Sequence, residues 1–141
     1  MKILTVVILI FIVTTQQIFS DSIKSANSND YIDCAAFYMS VLEVSKYMSN
    51  EYVKIEEELT GRINFYLKTA AIYDNIKELT PQMKQMYLDK SNEFTKNAHK
   101  MLQGKNKMEY PHYVDRRMEE CKDMLNINYK RLLQNQGLKI D

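Results

Sequence analysis

The chain has no tryptophan, three glycines, two prolines, two cysteines and two histidines in 141 residues. Each scarcity removes a class of function. Glycine occurs only at 61, 104 and 137, so no glycine-rich loop is present to cradle a phosphate. His99 and His112 stand alone, with no second histidine at metal-ligand spacing, which leaves a zinc site without its usual donors. No serine sits in a nucleophile-elbow context, and adjacent acids such as Glu119-Glu120 point to different sides of a helix. The sequence therefore carries no visible hydrolytic apparatus, and the reading is that the protein is not an enzyme. Cofactors are expected to be none.

Charge of one sign is also missing. The formal net charge is +1. Nucleic-acid binding wants a clustered excess of Lys and Arg, so no nucleic acid is expected as a partner. The helices have no basic face either, which speaks against a membrane-lytic role.

Long apolar runs are absent except at the start. Met1-Lys2 precedes the run Ile3 to Val13, broken only by the Thr5 hydroxyl, and the polar Thr14 to Gln17 follow. This is the layout of a secretory signal peptide over 1–20, with Ser20 or Ser22 at the cut. A spanning helix needs roughly 20 apolar residues, so no stable membrane span is expected after cleavage; an uncleaved anchor is the alternative. Removal of 1–20 takes Lys2 away and brings the charge near zero. The expected localisation is exported, either periplasmic or secreted.

Export gives the two cysteines their meaning. Cys34 and Cys121 form an even set with one possible pairing, in a compartment where disulfides persist. The other reading is two separate buried thiols. No Cys-x-x-Cys pair suggests redox catalysis.

Helical periodicity fills the rest. Residues 21–29 are polar and read as a flexible mature N-terminus, with Asp30 or Asp33 as the cap of a first helix. That helix runs over 30–48, with Cys34, Phe37, Val41, Val44 and Met48 on its apolar side. Ser49-Asn50 marks a break. A second helix follows over 51–79, with Tyr52, Ile55, Leu59, Ile63, Tyr66, Ala70 and Tyr73 on one side. Gly61 lies inside it, as a kink or a point of close approach. Thr80-Pro81 is a cap followed by proline at the first helical position, so a third helix starts at Pro81. Met83, Tyr87, Phe94, Ala98 and Met101 are its stripe, and Gly104 is its stop. A loop over 105–112 leads to a last helix near 111–134, with Val114, Met118, Cys121, Leu125, Asn128 and Leu132 in one seam. The tail is 136–141. No strand-like alternation of useful length occurs.

The expected fold is all-α: a small antiparallel bundle of about four helices over 30–135, up-down-up-down, after a signal peptide and with one disulfide. The opening Cys34-Ala35-Ala36-Phe37-Tyr38, with a lone second cysteine in the last helix, resembles a group of small exported bacterial proteins of unknown function. The resemblance implies a bacterial periplasmic or secreted setting and no activity.

Two abundances remain. Methionine occurs nine times, and Met83, Met86, Met101 and Met108 with His99 and His112 are ligand types that suit Cu(I). Packing accounts for methionine equally well, since it fills helical cores. Tyrosine occurs ten times. If a recognition surface exists, Tyr110, His112 and Tyr113 around Pro111 are its candidates, because loops carry function more often than helix faces. The function expected is non-catalytic binding of another protein or an envelope component. The alternative is a small-ligand or metal carrier that uses the bundle interior.

Overall fold

The computed structural model describes residues 26–47, 52–106 and 108–137. The expected signal peptide, the Ser49-Asn50 break and residues 138–141 of the tail lie outside them. Among the described residues there are four helices and no strand: α1 (Ser28–Ser45), α2 (Tyr52–Tyr73), α3 (Pro81–Gln103) and α4 (Glu109–Asn135). The chain is an all-α bundle with a Cys34–Cys121 disulfide. None of these helices is long and apolar enough to cross a membrane.

α1 begins earlier than the carboxylates suggest. Asn27 is the cap, and its side-chain oxygen accepts from the Asn29 amide at 2.8 Å. Asp30 reaches back to accept from the Asn27 amide at 2.8 Å, which completes a capping box. Asp30 thus serves from inside the first turn, and Asp33 is used elsewhere. Ala26 and Ser28 are buried, so the polar lead-in is part of the fold from Ala26 onward.

The amphipathic expectation for α1 is too narrow. Tyr31, Ile32, Ala35, Ala36, Tyr38 and Leu42 are buried along with Cys34, Phe37, Val41 and Val44. A helix that is apolar on all sides sits in a core. α2 and α3 flank α1 with no Cα atoms within 8 Å of each other among the described residues, while α4 approaches all three. Tyr31 meets Tyr73 and Tyr38 stacks on Tyr66, so α2 runs antiparallel to α1. Asp33 pairs with Lys90 and Phe37 meets Phe94, so α3 runs parallel to it. Cys34 joins Cys121 and Phe37 meets Tyr113, so α4 runs antiparallel. The up-down-up-down order holds. The α2–α3 connection crosses the end of the bundle.

α2 stops at Tyr73 rather than near Leu79. Asn75 takes a left-handed backbone, φ 55°, and its amide bonds the Ile72 carbonyl. The Ile76 amide bonds the Ala71 carbonyl at 2.9 Å. These two bonds make a Schellman motif with asparagine in the place glycine usually takes. Asn135 of α4 then donates to the carbonyls of Ile72 and Tyr73 at 2.8 and 2.9 Å. Thr80 caps α3 as its sequence indicates, accepting from the Met83 amide, and Gly104 ends it.

Candidate functional site

The residues singled out for recognition fall in the first turns of α4, not in a loop. The Asn106 side chain accepts from the Met108 amide, and the helix opens at Glu109. Tyr110 is 7% exposed and packs with Val44 and Ala98. Burial pushes its phenol up to about 12, with Tyr113 adding to the shift. Tyr113 is half-buried, edge-on to Phe37. His112 is exposed. Tyr110 and Tyr113 therefore belong to packing, and His112 does not converge with them.

The Tyr110 hydroxyl is buried and has no hydrogen-bond partner among the described residues. Leaving a buried donor unmade costs about 1–3 kcal/mol. Tyr110→Phe keeps the ring and removes the orphan, so it should stabilise the fold by about 1 kcal/mol. Urea denaturation checks this; a loss of stability would show that the hydroxyl has a bonding role. Tyr110→Ala, by contrast, should lower stability through the cavity it leaves.

The methionines and histidines do not assemble. Met83 and Met86 pack on the main core, Met101 on a smaller cluster, and Met108 is exposed. His99 lies edge-on to Tyr47. Among the described residues no group of three or more His, Cys, Asp or Glu is placed to hold a metal ion.

A surface opening lies between α2 and α4. These helices run parallel, with Glu58 and Arg62 level with Met118 and Glu119, and Ile72 level with Asn135. They part enough to leave a surface groove in two neighbouring sections of about 710 and about 300 Å³. Phe65 and Leu125 line both sections. Tyr38 and Tyr66 form the floor of the larger, stacked with centroids 5.5 Å apart. Ile72, Leu132 and Leu133 line the smaller.

Charge lies along the edges. Arg62 donates to Glu58 at 2.9 Å, and its Nη1 donates to the Tyr38 hydroxyl at 3.4 Å. Its guanidinium carbon sits 5.5 Å from the Tyr38 ring centroid. The bond to Glu58, outweighing burial, raises the Arg62 pKa, so the group is a fixed cation. Burial, with Tyr38 alongside, raises the Tyr66 phenol far above its ordinary value, so Tyr66 stays neutral.

Two features of the groove run against ordinary packing. Phe65 is 53% exposed although it is aromatic. Gly61 lines the groove, and a Cβ built there meets nothing within 4 Å. It is therefore not a point where another helix comes close. In the sequence Phe65 lies one residue off the Tyr66 stripe, and that misfit is the signal that could have marked this face. Comparison with known proteins finds no matching family model, no matching curated protein and no matching solved structure.

Proposed function

We propose that this is an exported, non-catalytic protein that binds another protein or an envelope component through the α2–α4 groove. The observation that carries the reading is the open seam with Phe65 at its centre. An exposed aromatic over an apolar floor with charged edges has the anatomy of a recognition surface. The buried disulfide suits an oxidising compartment. A carrier that uses the bundle interior finds less support, because its ligand would have to displace α1, most of whose residues are buried.

Leu88 on α3 supplies an internal control, since it is as exposed as Phe65, at 53%. A photo-crosslinking amino acid is placed at 65 or at 88 in protein expressed in its native envelope. The expected result is a discrete adduct at 65 and none at 88, on material whose N-terminus follows Ser20 or a residue close to it. Equal adducts at both positions, or none at 65, would remove the groove from the function. An N-terminus still at Met1 would remove cleavage.

A further inference from the structure

We propose that the groove takes an amphipathic α-helix of a protein partner, one that sets an acidic residue between two apolar anchors. This rests on the groove being the binding surface, and it names the occupant.

Length comes first. The α2 wall runs from Glu58 to Ile72, a rise of about 21 Å or four helical turns. Its two walls are parallel helices, and a third helix can lie between them with apolar side chains at i, i+3/i+4 and i+7 as anchors. Polarity is divided across the groove rather than along it. The floor is mainly apolar, with Tyr38, Tyr66, Leu125, Ile72 and Leu132 along it and Thr69 as a polar residue in the smaller section. The edges carry Glu58, Arg62 and Lys68 on α2, and Glu119 and Lys122 on α4. This is the pattern that an apolar stripe with polar flanks would meet.

Charge then fixes the partner's chemistry. Glu58 is matched by Arg62, and Glu119 by Lys122. Among the described residues Lys68 has no acidic partner, and it is the one charged residue of those that line the smaller section. It lies about one turn from Phe65 and about one turn from Ile72. A partner helix therefore places a carboxylate beside Lys68, with apolar residues one turn to either side. Gly61 leaves the wall low at the other end, where the helix can approach most closely.

The test uses synthetic helix-forming peptides of about fifteen residues, with anisotropy as the readout on the mature protein. One has leucines in a single stripe and a Glu between two of them. A second has Lys in place of that Glu. A third has the composition of the first with the leucines spread around the helix. The first should bind at least about tenfold more tightly than the third. Lys68→Glu should slow association of the Glu peptide and favour the Lys peptide, since rim charges act on the on-rate. Gly61→Phe replaces a poor helix former at a site with room, so it should fold, and it should block the first peptide.

Equal binding of all three peptides, or indifference to Gly61→Phe, would overturn the helix. So would binding of dodecylphosphocholine below its micelle concentration, or dimerisation of the protein alone, if Gly61→Phe abolished either. Those last two results would still leave the groove as the binding surface. An absent adduct at 65 would remove the groove itself.

Discussion

Cys34→Ala/Cys121→Ala should unfold at a markedly lower urea concentration than the oxidised protein. The bridge joins residues 87 apart in sequence. In the chain-entropy account, closing a loop of that length is worth about 4 to 5 kcal/mol, with somewhat less usually realised. Against a domain stability of roughly 5 to 15 kcal/mol, that is a large share. The geometry adds a local reason. α1 meets α4 over a much shorter stretch than it meets α2 or α3. The disulfide, with Cα atoms 5.8 Å apart, is the covalent tie across that short contact. Its loss should be felt first as amide exchange along α4, before α1 and α2 open. Both cysteines are 0% exposed, so thiol reagents should leave the native protein oxidised and reduce it only once urea opens the core. An unchanged midpoint in the double variant would mean that helix packing alone fixes α4.

Cys34 and Cys121 were legible because only one pairing exists and both recur in helical stripes. Thr80-Pro81 and Gly104 were legible because capping chemistry is local, and a cap depends on a few neighbouring residues. The end of α2 depends on local chemistry too, yet its signal is faint. Asparagine tolerates a left-handed backbone less freely than glycine, so Asn75 did not stand out as a stop. Asn135, which bonds the α2 end, lies in another helix and has no local signature. The extent of burial of α1 was invisible for a different reason. Periodicity finds one apolar face, whereas Ala35, Ala36 and Ser40 are buried because neighbouring helices close on the others. Ser40 hides its polarity by donating to the Phe37 carbonyl at 2.8 Å. Tyr110 was misplaced because proline at 111 suggested a loop, and proline is also accepted in the first turn of a helix. The groove is the least legible feature. Whether Phe65 ends covered or open depends on how far α2 and α4 stand apart, and no spacing within either helix encodes that.

Arg117 carries the second large effect. From sequence it is one of two adjacent arginines on α4, with nothing to distinguish it from Arg116. In the fold its side chain is only 20% exposed, one turn from Cys121. Nη2 donates to Asp33 of α1 at 2.6 Å, and Nη1 donates to Glu120 at 2.6 Å. The guanidinium carbon lies 5.8 Å from the Phe37 ring centroid and 5.6 Å from that of Phe94 on α3. Lys90 of α3 closes the set on Asp33 at 3.5 Å. One side chain thus joins three helices at the level of the disulfide. Burial works against its charge, but Glu120 and Asp33 outweigh that, and the net pKa is raised. Arg117→Met keeps apolar bulk between the two rings while leaving Asp33 with Lys90 alone. Breaking a fully buried pair costs about 3–5 kcal/mol. Asp33 keeps some contact with water, so the expected loss is about 2–3 kcal/mol. Arg117→Lys should recover only part of it, because an ammonium cannot fork to two carboxylates and stack on rings at once. Asp33→Asn combined with Arg117→Met should cost less than the two single changes added, since both act on one interaction. The measurement is urea denaturation of all four variants with the disulfide intact. Wild-type stability in Arg117→Lys, or strict additivity in the double variant, would reduce Arg117 to a surface charge, leaving the disulfide to hold α1 and α4 in register.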